Sequence, residues 1–217
     1  MVVRVPVRGY YNEISYFYID EGTNHGFLID PGSQAGHLLS MIQRKGWTIE
    51  KILLTHGHFD HTGAVNELRS VLGVPVLAHR RADEYLLDAH MNLSEGSGVP
   101  VIIRTVTYLD DGDIVPLDAD PAFALDVIYA PGHTTDSVVY YSPKDRVAFV
   151  GDTIFKGSIG IWDFPGGNLA DLQRSILEKI FTLPEDTALY SGHSVPTTVG
   201  EEKRRYGPRC KIKVGGK

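Results

Sequence analysis

The run Thr55-His56-Gly57-His58-Phe59-Asp60-His61 restricts this chain more than any other feature. It follows the apolar segment 51–54, which reads as a short strand buried on both faces. It precedes 64–72, where Val65, Leu68, Val71 and Leu72 share one helical stripe. A loop leaving a strand end can turn several side chains into one concave volume. His56 and His58 are two apart and can face one point; Asp60 and His61, at the entry to the next helix, can face a second point a few ångströms away. Such a density of imidazole and carboxylate has few packing explanations, because buried polar groups cost free energy unless they are partnered. As ligands they suit zinc, iron or manganese better than a soft metal.

A pair of divalent cations roughly 3.5–4 Å apart is a recurrent hydrolytic device, and it needs more ligands than this run offers. Three later segments supply candidates: Ala130-Pro131-Gly132-His133-Thr134, Phe149-Val150-Gly151-Asp152-Thr153 and Ser191-Gly192-His193-Ser194. In each, His133, Asp152 or His193 follows a β-type segment and is preceded by glycine, which permits an unusual turn and a close approach to an ion. Of the other histidines, His25, His37 and His90 read as surface or loop residues and His79 as structural.

β-Type patterning covers 2–7, 14–20, 26–30, 51–54, 74–78, 124–129, 138–142, 146–150 and 187–190; helical patterning covers 35–45, 64–72, 81–87, 169–181 and 200–205. Segment 88–99 reads as a loop. Segments 106–109 and 114–117 flank Asp110-Asp111-Gly112-Asp113, a hairpin signal. Strands in two groups with interspersed helices predict an α/β chain of two sheets with helices outside. No linker divides it, so a single domain over 1–217 is expected, with Gly215-Gly216-Lys217 as a frayed tail.

With 21 Lys+Arg against 27 Asp+Glu, the formal charge of −6 opposes a phosphate backbone, so nucleic acid is not an expected partner. No apolar stretch reaches the roughly 18–20 residues a membrane helix needs. The N-terminal residues lack the apolar core and cleavage site of a signal peptide, and Cys210, the sole cysteine, excludes an internal disulfide; the expected location is cytoplasmic.

The seven-residue pattern of His56, His58, Asp60, His61, His133, Asp152 and His193 resembles that of the metallo-β-lactamase superfamily, and within it the glyoxalase II-like (hydroxyacylglutathione hydrolase-like) branch. The resemblance runs from Leu28-Ile29-Asp30-Pro31-Gly32 to Gly192-His193 and includes the stretch 151–160 and Asp163-Phe164-Pro165-Gly166-Gly167. It implies an αββα sandwich of two mixed sheets flanked by helices. It implies two divalent metal ions, zinc by default, with iron or manganese also compatible. Carried over by position, His56, His58 and His133 would hold the first, Asp60, His61 and His193 the second, and Asp152 would bridge them. A metal-bridging hydroxide, oriented by Asp60, would cleave a small-molecule thioester such as S-lactoylglutathione.

Two departures leave the substrate open. Ile161-Trp162 stands where relatives often carry Arg-Thr, and only residues 194–217 follow His193, where glyoxalase II carries a glutathione-binding helical extension. The alternatives are a lactonase or esterase on the same dimetal centre, or a mononuclear iron persulfide dioxygenase using His56, His133 and Asp152. Lys156 is a candidate for meeting an anionic substrate, or a plain surface lysine. Tyr140, Tyr141, Trp162 and Phe164 could line an apolar pocket or belong to the core, with Trp162 and Phe164 the better substrate-binding candidates.

Overall fold

A computed structural model describes residues 1–206. Its first sheet is β1 (Val2–Arg8), β2 (Asn12–Ile19), β3 (His25–Ile29), β4 (Thr48–Leu53), β5 (Val76–His79) and β6 (Thr107–Leu109), in that order. β1 to β3 are antiparallel, and β3 to β6 run parallel. Helices α1 (Ala35–Lys45), α2 (Phe59–Thr62), α3 (Val65–Leu72) and α4 (Asp83–Leu86) fill the crossovers. The second sheet comprises β7 (Ile114–Pro116), β8 (Ala124–Tyr129), β9 (Val138–Ser142), β10 (Val147–Gly151), β13 (Ala188–Ser191) and β14 (Thr197–Thr198), in the order β14-β13-β10-β9-β8-β7. A small ribbon, β11 (Ile154–Phe155) with β12 (Ser158–Ile159), stands apart; α5 (Leu169–Glu178) and α6 (Val199–Tyr206) complete the described α-helices.

Strand alternation sorts the apolar side chains into layers. In β2, Tyr16 and Tyr18 face the second sheet, while Phe17 and Ile19 face the helices; β3 repeats this with Phe27 and Ile29 inward and Leu28 outward. Val147 and Phe149 of β10 meet that inner layer, and Ala148 and Val150 turn to α5. Helices on both outer faces make the αββα sandwich expected from the sequence. α1 buries Ala35, Leu38 and Ile42 at helical spacing and ends at Gly46, whose φ of 67° lets its N–H reach Gln43 O. α5 opens on Asn168, whose side chain accepts from Asp171 N.

The inner layer is aromatic. Tyr18 lies 4.4 Å from Phe123 by ring centroids, Phe149 lies 5.5 Å from Tyr16 and 5.6 Å from Tyr18, and Tyr140 Oη donates to Leu54 O at 2.9 Å across the sheets. Tyr140 and Tyr141 are therefore core residues of the inner and outer layers. His79, also buried, stacks on Tyr129 at 4.3 Å, a structural role as expected.

One expectation fails. The strands flanking Asp110-Asp111-Gly112-Asp113 do not pair: β6 ends the first sheet and β7 ends the second. The turn is tight, with Asp110 N donating to Asp113 Oδ2 at 2.8 Å, but it carries the chain between sheets, because Leu109 and Val115 enter the inner layer from opposite sides. Among the described residues no helix is long and apolar enough to cross a membrane. The expected frayed tail lies outside the described residues, as does Cys210. Removing the Phe149 ring should cost about 3–5 kcal/mol; urea unfolding of Phe149→Ala is expected to show that loss.

Candidate metal centre

The elements converge on one edge of the sandwich. β8 and β10 point the same way, each being antiparallel to β9, and β13 runs parallel to β10. His133, Asp152 and His193 follow these strands, while His56 and His58 leave β4 of the other sheet and Asp60 and His61 lie on α2. The glycines before the three late candidates are required locally. Gly132 and Gly151 have φ of 135° and 49°, and a Cβ on Gly192 would collide with His61 and approach Asp152 Oδ1.

All seven sequence candidates come together. His133 Nε2 is 3.0 Å from His58 Nδ1, and the His56 ring lies 4.8 Å by centroids from each of theirs. His193 Nε2 is 3.3 Å from His61 Nε2 and 3.2 Å from Asp60 Oδ2. Asp152 lies between the groups: Oδ1 is 3.4 Å from His61 Nε2, and Oδ2 is 3.3 Å from His193 Nε2 and 3.7 Å from His133 Nε2. The donor atoms of His56, His58 and His133 fall within 4.8 Å of one another, and so do those of Asp60, His61 and His193.

The outer atoms of these side chains are held by partners. His133 Nδ1 donates to Ile161 O at 2.6 Å, and His193 Nδ1 to Asn12 O at 2.8 Å. His61 Nδ1 meets Asp30 Oδ2 at 3.0 Å. The same carboxylate accepts from Thr55 N at 2.7 Å and Thr55 Oγ1 at 2.6 Å, and Thr55 Oγ1 is 3.1 Å from His56 Nδ1. Asp30 lies close enough to His56 and His61 to count as a ligand by distance, but its oxygens already take these bonds, so we assign it an orienting role. A second buried acid, Glu13, stands 3.9 Å from His61 Nδ1 and accepts from Ser15 Oγ at 3.1 Å.

Inward, the atoms lack partners. His56 Nε2, His58 Nε2 and Asp152 Oδ1 are buried without a hydrogen bond. Burial and the neighbouring His133 push His58 down to about 3, and burial and His61 hold His56 well below the ordinary histidine value. Burial opposes ionisation of Asp152, but His61 and His193 outweigh it and hold its carboxyl well below the usual range. Burial likewise opposes the imidazolium at His61 and His193, yet Asp152 and Asp60 lift His61 well above its ordinary value and His193 to about 10. Three imidazoles held neutral, His56, His58 and His133, beside the ionised Asp152, with His56 Nε2, His58 Nε2 and Asp152 Oδ1 unpartnered, are donors that a divalent cation accepts, so the residues fit one.

A cavity of about 520 Å³ opens above them, lined also by Tyr11, Asn12, Leu93, Phe155, Ile161 and Phe164. Phe164 lines this cavity. Lys156 and Trp162 are not brought to the cavity: Lys156 is exposed at the β11–β12 turn, with its backbone N–H on Ser194 Oγ, and Trp162 is 41% exposed. Sequence reasoning missed Asp30 as an orienting group, although it too is an acid directly after a strand. Tyr11 and Asn12 had no signal, being far from the histidine run in sequence.

Such a site in an αββα sandwich defines a metal-dependent hydrolase. The family model of the metallo-beta-lactamase superfamily matches residues 11–193, and the chain belongs to that superfamily. It is 32% identical to hydroxyacylglutathione hydrolase GloC of Haemophilus influenzae, over 92% of this chain and 93% of that protein. Among solved structures it is similar to the BLEG-1 B3 metallo-beta-lactamase, with a TM-score of 0.87 and 34% identity over 94% of this chain and 97% of the other. It is also similar to TTHA1623 in a di-iron-bound form, with a TM-score of 0.82 and 33% identity over 94% and 98%.

Because Asp152 reaches both groups of donors, Asp152→Ala is expected to lose metal content as well as activity, while the exposed His90→Ala retains both; metal analysis of purified variants checks this. Asp30→Ala, which frees His61 and Thr55, should weaken metal affinity about 10–100-fold, as read by competition with a chromogenic chelator.

Proposed function

We propose that this chain is a dinuclear metallohydrolase that cleaves thioesters, S-lactoylglutathione or a related S-acyl compound. The observation that carries the reading is the meeting of seven donor side chains beneath one ligand-sized cavity, which His58, Asp60, His133, Asp152 and His193 line, with His56 Nε2, His58 Nε2 and Asp152 Oδ1 unpartnered. In the proposed assignment His56, His58 and His133 would hold one cation and Asp60, His61 and His193 the other, with Asp152 placed between the two sets. The bound cations supply an acidified water as nucleophile and positive charge for the carbonyl oxygen.

The protein's own residues do the rest. Asp60 lines the cavity and is 3.2 Å from His193 Nε2, so its carboxylate can orient the attacking water and accept its proton. His61 is fixed by Asp30, and His133 and His193 by backbone carbonyls, so the floor is preorganised. Leu93, Phe155, Ile161 and Phe164 give the cavity an apolar wall.

The choice of thioester rests on what the lining lacks. Beyond the seven donors, the polar side chains at the cavity are Tyr11 and Asn12, and Tyr11 is 51% exposed. Among the described residues that line the cavity, no acid outside the donor set stands ready to protonate a poor leaving group, whereas a thiolate departs without one. The similarity to a hydroxyacylglutathione hydrolase over nearly the whole of both chains supports the same choice. Zinc is the default metal; the di-iron-bound relative supports iron as an alternative and supports two-metal occupancy.

The test is steady-state hydrolysis of S-lactoylglutathione and simple S-acyl thioesters, with metal assayed on the same sample. Turnover with about two metals per chain is expected. Two metals with hydrolysis confined to lactones or β-lactams would move the substrate class. A single iron, with oxygen consumed on a persulfide and no hydrolysis, would overturn the hydrolase reading.

A further inference from the structure

Three aromatic rings stand beside the mouth of the cavity and are not used by the site below it. Tyr10 and Tyr11, on the turn between β1 and β2, meet edge-on with centroids 5.1 Å apart, and each lies 5.8 Å from Phe59 of α2. Phe59 is buried under them, yet Tyr10 is 65% exposed and Tyr11 51%. Apolar surface of this kind, grouped and held in place, marks a place where something binds. Across from it, Val99 is 76% exposed. Between these walls lies a second cavity of about 280 Å³, floored by Gly32, Ser33 and Gly63.

This side pocket adjoins the catalytic cavity, with Tyr11 and Asp60 lining both. A molecule whose reacting bond sits on the histidine floor would therefore extend a substituent past Tyr11 onto the rings. Charge narrows what that substituent can be. No lysine or arginine lines either cavity among the described residues, and the side pocket carries Asp60 and Glu67. A carboxylate there would meet like charge without a counter-ion. An apolar group would cover exposed ring surface, and an aromatic one would gain ring–ring contact.

Resting on the thioesterase reading, we infer that the Tyr10–Tyr11–Phe59 pocket is a specificity subsite that takes an uncharged apolar, preferentially aromatic, substituent of the substrate. The rings touch the part of the substrate that does not react, so they govern selection among thioesters.

The experiment compares S-phenylacetyl- and S-acetyl-N-acetylcysteamine, which share a neutral leaving thiol, on the metal-loaded enzyme. A thiol series, S-phenethyl thioacetate against S-acetyl-N-acetylcysteamine, both releasing alkanethiolates of similar acidity, places the substituent on the other flank. In at least one series the aromatic substrate is expected to have the higher kcat/KM. Tyr10→Ala, at an exposed position, should lower that aromatic-to-aliphatic ratio about tenfold through KM, and Tyr10→Phe should preserve it. No aromatic preference in either series, or a ratio unmoved by Tyr10→Ala, overturns the subsite. If no thioester is turned over, the thioesterase reading fails by itself, and calorimetry with the unreactive thioether S-phenethyl-N-acetylcysteamine decides the pocket. Binding that is weakened by Tyr10→Ala supports it, and absence of binding to the parent protein overturns it.

Discussion

The candidate metal centre depends on two sheets being held face to face, because neither sheet carries a complete set of donors. His56, His58, Asp60 and His61 come from the end of β4 and from α2, and His133, Asp152 and His193 from the ends of β8, β10 and β13. Their relative position is set by the aromatic layer in which Tyr16, Tyr18 and Phe27 of one sheet meet Phe123 and Phe149 of the other. Burying each such side chain contributes on the order of 1.5–3 kcal/mol, and the Tyr140 hydrogen bond to Leu54 O pins the start of the histidine run to the opposite sheet. The Val138 N–H to Thr55 O bond at 2.8 Å adds a second tie at that point. Packing in the middle of the molecule thus fixes distances at its edge.

That packing forces like groups together, which opposes folding unless something compensates. Five imidazoles and two carboxylates share one small volume, and the protein resolves the conflict by splitting them. His56, His58 and His133 are kept neutral by burial and by one another, while His61 and His193 take positive charge from contact with Asp60 and Asp152. The carboxylates that stabilise those imidazoliums are the ones that would bind cations, so a cation there would displace the protons of His61 and His193. Asp30 makes this arrangement stiff. Its two oxygens hold the Thr55 backbone, the Thr55 hydroxyl and the His61 ring, and so join the two halves of the donor set through one buried carboxylate.

The donors were legible in the sequence because they are dense or follow glycine at strand ends, and because a polar cluster of that composition has no other economical use. The layered fold was legible from two groups of strands with interspersed helices, and the helical spacing in α1 survives in the structure; β2 and β3 are apolar on both faces because each packs between a sheet and a helix layer. Sheet assignment was not. Alternation in 106–109 and 114–117 says that each strand has a buried face, but both faces contribute to one inner layer, so a hairpin and a sheet-to-sheet crossing have the same pattern. The cavity wall was legible only in part. Lys156 and Trp162 neighbour true wall residues in sequence, but in the ribbon of β11 and β12 and the loop after it successive side chains point to opposite sides, so Phe155 and Ile161 line the cavity instead. Tyr11 and Asn12 arrive from the N-terminal edge of the first sheet, a contact that only the closed sandwich creates.

The wall, more than the floor, is where substrate choice would be made. A dimetal floor serves any acyl group whose carbonyl can reach it, so discrimination must come from what surrounds the reacting bond. Here that surround is apolar, with Leu93, Phe155, Ile161 and Phe164 over the centre and Tyr10, Tyr11 and Phe59 beside it, and its fixed charges are carboxylates. An anionic carrier such as a tripeptide thiol would find no counter-ion among these side chains, and its carboxylates would have to stay in solvent while only the acyl group entered. A neutral thioester meets no such obstacle and covers ring surface that is otherwise wet. Selectivity of this kind costs nothing at the metal floor, because the residues that choose the substrate, Tyr10 above all, touch none of the seven donors' inner atoms.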